Sequence, residues 1–303
     1  MGRAGARPRR PVGPHAGRAM THAVTLLAPA KINLALAVTG KRADGYHELR
    51  SVFATIDLAD RVRVAPYRRL VVRVVPDVGA PPGGELARRA VHAMAQAARR
   101  DPGAFVHVRK RIPVAAGLGG GSSDAGAVLR ALATIWQRPD LDLVALAATL
   151  GSDVPFFASG ARVALVSGRG ERVEALTGLA PTHIVIVRLG ARLATPDVFA
   201  ALRSEDRQAG RAVDALLHGF AQHAVSPQLL RDNARNDLLG AAERLCPAVA
   251  DARSRAAEHG IALALSGSGP TLFAVADDHR HALRTARALR RIGLAARVHT
   301  LGG

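Results

Sequence analysis

The 303-residue sequence predicts an α+β fold. Three observations carry that expectation. Strand-like and helical segments are interspersed without the strict alternation of a doubly wound sheet. Val62, Val64 and the Val-rich run 71–75 alternate as half-buried antiparallel strands do, with Gly and Asp turns between them. After about residue 167 the pattern restarts, dividing the ordered chain into an expected first half at 21–167 and a second at 168–303. With 49% hydrophobic residues, both halves can bury a core.

In chain order, the stretch "MGRAGARPRRPVGPHAGRAM" (1–20) is Pro/Gly/Arg-rich and has no apolar periodicity, so it reads as a disordered basic tail. It lacks the apolar core of a secretory signal; a transit peptide or a start at Met20 are alternatives. Order begins with "THAVTLLAPAKINLALAV", two β-type runs split by Pro29, and continues through "RADGYHELRSVFATIDLADRVRVAP". An Ala-rich helix is expected at about 84–98, then the strand "AFVHVRKRIPV", a glycine loop and its helix at about 122–137. "DLDLVALAATL" (140–150) reads as a second helix stopped at Gly151. In the second half, "THIVIVRL" is a buried strand, "TPDVFAAL" a helix start and "DNARNDLLGAAERL" a helix entry. "GIALALSGSGPTLFAVA" is strand, glycine turn and strand, and the chain closes with a helix and the strand "LAARVHTL".

The net charge of +18 invites a nucleic-acid reading. However, five arginines of the excess lie in the first 20 residues, the rest are dispersed, and 39 of the 42 basic residues are Arg. With 3% aromatics there is little on which unstacked bases could stack, so neither nucleic acid nor membrane is an expected partner. The three lysines, Lys31, Lys41 and Lys110, stand out in so Arg-rich a chain. The single cysteine, Cys246, precedes Pro247 at an expected helix boundary and suits a reducing compartment such as the cytoplasm. No apolar run is long enough for a membrane span.

Three constellations can carry chemistry. In "PVAAGLGGGSSDAGAVLRAL" (113–132), bare backbone leads straight into an apolar helix, whose free N–H groups and dipole favour an anion such as phosphate. It is not a Walker loop, because no Lys follows Gly121, and Pro113 with the antiparallel context does not suit the dinucleotide fingerprint. A tight turn capped by Ser122 or Ser123 is the structural alternative. In "GSDVPFF", Asp153 reads as an N-cap or turn residue unless it has a partner. Lys31, in the apolar strand "PAKINL", is the candidate, because a lysine there is costly unless paired. Together they would supply a base and an orienting cation beside a phosphate loop, the parts of a phosphoryl transfer. "SGSGPT" (266–271) reads equally as a hairpin turn.

"PVAAGLGGGSSDAGAVL" resembles the glycine-rich ATP motif of the GHMP kinase superfamily. "APAKINLALAVTGKRADGYHELRSVF" and "GSDVPFF" resemble the branch that phosphorylates a cytidine-diphosphate-linked methylerythritol, and the likeness runs from about residue 23 to 300. The resemblance implies a two-domain fold, with an N-terminal ribosomal-S5-domain-2-like nucleotide half, a C-terminal α/β sandwich half and the active site between them. It implies ATP and Mg²⁺ as cofactors and phosphorylation of the substrate's 2-hydroxyl to the 2-phosphate, in non-mevalonate isoprenoid precursor biosynthesis. The partner would be that small molecule, and the assembly a monomer or weak homodimer.

By the resemblance, Asp153 is the general base and Lys31 sits against it. Pro113, Gly117, Leu118, Gly119, Gly120, Gly121, Ser122 and Ser123 bind ATP. Asn33, Tyr46, His47, Thr195 and Phe199 contact substrate, with Tyr46 and Phe199 as rings for cytosine and His47 as reader of its edge. The Asn-Asp-Leu of "RNDLL" (236–238) and "SGSGPT" match later family motifs, the latter facing the nucleotide loop. Two positions depart from the pattern. Glu85–Leu86 stand where relatives often have Asn-Leu on the adenine side. Asp124 reads equally as a helper for Mg²⁺ or as a helix N-terminal residue; no metal ligand is assigned. The alternatives are another GHMP small-molecule kinase, of homoserine or mevalonate type, which would have no use for Tyr46, His47 and Phe199, and a basic RNA-binding protein.

Overall fold

A computed structural model describes residues 22–76 and 84–302, so the expected tail lies outside the described residues. In chain order the strands are β1 (Val24–Lys41), β2 (His47–Pro66), β3 (Val71–Val75), β4 (Ala104–Arg109), β5 (Val163–Gly168), β6 (Arg172–Ala175), β7 (His183–Arg188), β8 (Ala264–Leu265), β9 (Leu272–Ala276) and β10 (Ala295–Thr300). The α-helices are α1 (Glu85–Ala98), α2 (Gly120–Ile135), α3 (Leu143–Ala148), α4 (Val154–Ser159), α5 (Thr195–Ala200), α6 (Gly210–Ala221), α7 (Pro227–Asp232), α8 (Leu239–Leu245), α9 (Pro247–Ala257) and α10 (His279–Arg291).

The first six strands form one sheet, ordered β3-β4-β2-β5-β6 with β1 on β2; the last four form a second, ordered β10-β7-β9-β8. Pro29 does not split the first segment. It lies at a register shift within one continuous strand, opposite Ala59, because a bulge accommodates a residue that cannot donate to the ladder. The shift also turns the Lys31 N–H away from β2 and onto the carbonyl of Leu118 at 3.0 Å. β3 is not antiparallel to its partner, as the alternation suggested: it runs parallel to β4, with α1 as the crossover. The helix after the glycine run starts two residues earlier than expected, at Gly120, with Gly119 as N-cap at φ 69°.

The expected boundary at 167/168 falls inside β5, and β6 pairs antiparallel with β5, so the first sheet continues past it. By sheet membership, the passage between the halves lies in 176–182. The halves share a core. On β7, Ile184 and Ile186 pack towards β1 and α6 with Ile32, Leu34 and Val213, while Val185 and Val187 pack towards α8, α9 and α10. This period-2 division explains why the strand reads as continuously apolar: both faces are covered. β1 is buried from Ala30 to Val38 for the same reason, with α2 on one side and α6 on the other. α2 is nearly apolar all round, as a helix enclosed by the sheet, α1 and α4 must be. Its neighbour α1 buries the stripe Ala87, Ala90, Val91, Met94 and Ala95.

Candidate active site

Between the halves lies a cavity of about 850 Å³, and its wall includes all three lysines of the chain. A chain that writes its cations as Arg uses the compact ammonium only here.

The glycine loop forms one wall. Pro113 and residues 117–122 line the cavity; Ser123 is buried one layer beneath. No side chain caps α2, so the serine-cap alternative does not hold and the N–H groups of the first turn remain available to an anion. The loop is clamped from both sides. Leu118, 1% exposed, accepts from the Lys31 N–H, and Ser266 Oγ donates to the Gly117 carbonyl at 3.2 Å. Gly117 needs to be glycine: its φ is 72°, and a Cβ would stand 2.6 Å from the Ser266 carbonyl.

Asp153 occupies the N-cap position of α4, yet its side chain caps nothing. The carboxylate points instead to Lys31 Nζ, 3.4 Å away. Lys31 is 3% exposed and its ammonium has three neighbours: Asp153, Asn33 Oδ1 at 2.9 Å and the Phe53 ring at 4.2 Å. Phe53 rests edge-on against Phe156, which does the same to Phe157, so the two phenylalanines of "GSDVPFF" form the floor under the pair. Asn33 is fixed by donating to Ser51 Oγ at 2.9 Å and by accepting from the Gly267 N–H at 2.8 Å.

The second glycine turn is therefore more than a hairpin. Besides the Asn33 and Ser266 bonds, Asn236 donates to the carbonyls of Leu265 and Gly267, and Ser268 Oγ lies 2.8 Å from Thr195 Oγ1. Asp237 ties the halves together, accepting from the N–H groups of Val38, Gln208 and Ala209.

At the other end of the cavity, His47 and Phe199 stack with ring centroids 5.0 Å apart. Tyr46 does not join them; it is 52% exposed, with the Arg169 guanidinium over its ring at 5.3 Å. Burial pushes the His47 imidazole below its usual range, helped by the positive charges of Arg207 and Lys41. It is therefore neutral at pH 7, one ring nitrogen a donor and the other an acceptor. Of the departing pair, Leu86 lines the cavity and Glu85 does not.

The sequence reading did not find one polar cluster. Lys110 Nζ, at the foot of the glycine run, lies 2.5 Å from Asp60 and 2.7 Å from Asp124, all three nearly inaccessible. Asp60 also accepts from the N–H groups of Arg111 and Ile112. Burial pushes the Asp124 carboxyl up to about 7, with Lys110 opposing and Asp60 adding to the rise. Burial works against the Lys110 charge, but the two carboxylates hold it above its usual range. The signal was the rarity of lysine itself.

The sequence matches the family model described as GHMP kinases N terminal domain at residues 85–161 and GHMP kinases C terminal at 223–294. It is 43% identical over 279 residues to the 4-diphosphocytidyl-2-C-methyl-D-erythritol kinase of Thermus thermophilus, covering 91% of this chain and 96% of that one. The Kineococcus radiotolerans kinase of the same name is 40% identical over 295 residues, covering 91% of this chain and 89% of that one. The chain belongs to the 4-diphosphocytidyl-2-C-methyl-D-erythritol kinase family of GHMP kinases.

A crystal structure of 4-(cytidine 5'-diphospho)-2C-methyl-D-erythritol kinase superposes with a TM-score of 0.73 at 41% identity, over 92% of this chain and all of that one. A homoserine kinase from Cytophaga hutchinsonii shares the fold, with a TM-score of 0.70, 18% identity and coverage of 93% of this chain and 95% of that one. The two-domain α+β GHMP fold expected from the sequence is thus the fold observed. Neither the sister-kinase nor the RNA-binding alternative is favoured by membership in the 4-diphosphocytidyl-2-C-methyl-D-erythritol kinase family. No helix among the described residues is long and apolar enough to cross a membrane.

Proposed function

We propose that the protein phosphorylates the 2-hydroxyl of 4-diphosphocytidyl-2-C-methyl-D-erythritol from ATP, giving the 2-phosphate and ADP. The observation that carries this reading is the Asp153–Lys31 pair beside an uncapped helix start, in one cavity with His47, Phe199 and Tyr46. In the proposed step Asp153 accepts the hydroxyl proton as the oxygen bonds to the γ-phosphorus. The bond from that phosphorus to the β–γ bridging oxygen breaks, and its electron pair leaves on ADP. Lys31, held by Asn33 and unable to move into solvent, orients the carboxylate and screens developing charge. The N–H groups at the start of α2 hold the phosphates.

The residues fit a magnesium ion at one point. Ser123 Oγ and Asp124 Oδ1 are buried without a hydrogen-bond partner. The Lys110 ammonium, 2.7 Å from Asp124, argues against that carboxylate as a ligand, so the fit is through Ser123, with the nucleotide's phosphates and water supplying the remainder. When bound, the ion would neutralise charge on the outer two phosphates. The rest of the proposal is a cytoplasmic enzyme acting as a monomer or weak homodimer.

The test is ADP release from ATP and Mg²⁺ with the cytidine compound, run beside homoserine and mevalonate. Turnover with the cytidine compound alone is expected. Comparable turnover of either other alcohol, or none with any of the three, overturns the reading.

A further inference from the structure

Four cationic side chains line the cavity: Lys31, Lys41, Lys110 and Arg169. Two are engaged by carboxylates, Lys31 by Asp153 and Lys110 by Asp60 and Asp124. Lys41 stands at the aromatic end, the register partner of His47 on the neighbouring strand. Arg169 is different. Among the described residues its guanidinium forms no direct ion pair with a carboxylate, although its charge reaches Asp44 and helps hold that carboxyl below its usual range; Nη2 donates to the Ala148 carbonyl at 3.2 Å, and the other donors have no hydrogen bond there.

Its position is well fixed. Arg169 lies in the turn between β5 and β6, where its own N–H bonds to the Glu171 carboxylate at 2.6 Å. The next residue, Gly170, packs so closely on the Ser152 carbonyl that a Cβ would come within 2.1 Å. The turn is thereby anchored to the residue preceding Asp153. On its other side the guanidinium covers the Tyr46 ring. The turn that carries this cation therefore packs on the residue before the proposed base, through Gly170, while the guanidinium itself lies between the end of α3, at Ala148, and the hairpin carrying the proposed cytosine contacts.

We propose that Arg169 binds the diphosphate that joins the two ends of the substrate. This rests on the reading above: with the 2-hydroxyl at Asp153 and the cytosine at His47 and Phe199, the substrate's negative charges must lie between them, and Arg169 spans that interval. A guanidinium matches a diphosphate by its paired donors, and stacking on Tyr46 fixes its plane before the ligand arrives. Such a residue selects a nucleoside-diphosphate-linked alcohol over a free alcohol, and its effect belongs to substrate binding and not to the nucleotide.

The test is steady-state kinetics of Arg169→Ala and Arg169→Lys against each substrate, together with equilibrium binding of cytidine and of CDP to the nucleotide-free enzyme. Loss of a charge-assisted contact should raise KM for the cytidine substrate roughly 10- to 100-fold and leave KM for ATP within about 2-fold. CDP binding should weaken while cytidine binding stays unchanged. Arg169→Lys, which keeps the charge, should recover part of the loss and guards against a misfolded alanine variant. A rise in KM for ATP equal to that for the cytidine substrate, or equal weakening of CDP and cytidine, overturns the proposal. If the wild type turns over the cytidine compound and both variants keep its KM, only the role of Arg169 falls. If the wild type prefers another alcohol, the functional reading falls and takes Arg169's role with it.

Discussion

The two ends of the cavity are built differently. Around Asp153 the polar side chains and the loop are held by one another: Lys31 by Asn33, Asn33 by Ser51 and Gly267, and the glycine loop by Lys31 and Ser266. The lysine at its centre is 3% exposed. Around Tyr46 the side chains are half-open and the contacts are ring on ring, His47 with Phe199 and Tyr46 with Arg169. The first end is organised before substrate arrives, as electrostatic stabilisation of a transition state requires. At the second end the His47 and Phe199 faces cover one another, so a base that enters must separate them or lie on their outer faces. Changes at the first end should act on the chemical step, and changes at the second on binding.

The largest expected effect is on catalysis. Asp153→Asn keeps the shape and removes the proposed base, so kcat should fall roughly 10²- to 10⁴-fold with little change in KM, measured by ADP release. A rise in KM with kcat intact would break the comparison. Next is stability. Lys110→Met leaves Asp60 and Asp124 buried together without their cation, which should cost about 3–5 kcal/mol in denaturant unfolding. Gly117→Ala should cost about 1–3 kcal/mol, because the φ of 72° and the Ser266 carbonyl both oppose a Cβ, and it should also raise KM for ATP. At the aromatic end, Phe199→Ala should raise KM for the cytidine substrate by roughly 3- to 10-fold with kcat retained.

The smallest effect is with pH. His47 sits below its usual 6.5, so the unfolded chain takes up a proton before the native state does. The stability tied to the neutral ring is full above about 6.5 and is lost as pH falls through the lower native value. Substrate KM should accordingly be flat from pH 8 to 6.5 and rise below that, with the rise abolished in His47→Gln. A rise that persists in the variant assigns the titration elsewhere.

Much of the site could be read in the sequence because its motifs are local. Gly117–Ser122 must be contiguous to present successive N–H groups, and Tyr46–His47 form one hairpin flank. Lys31 was legible because a lysine among buried strand residues is costly unless it has a partner. The Lys110 cluster was not, since Asp60, Lys110 and Asp124 are brought together only by the pairing of β2 with β4 and the docking of α2. The helices α6, α7 and α9 were not drawn from the sequence either: α7 has only six residues and α9 buries mainly alanines, whereas α6 does carry a regular apolar stripe at Ala212, Val213, Leu216 and Phe220.

By itself, then, the amino-acid order determined the α+β class, the two halves, the glycine-led helix start and the singling out of Asp153 and Lys31 as partners, since each depends on neighbours in sequence or on the energetic oddity of one residue. Tertiary structure alone decided that β3 runs parallel to β4, that β6 stays with the first sheet, and that Arg169 reaches the cavity and covers the Tyr46 ring. These follow from which strand edge is free and which turn packs on which carbonyl, and such contacts join residues that no spacing in the chain relates.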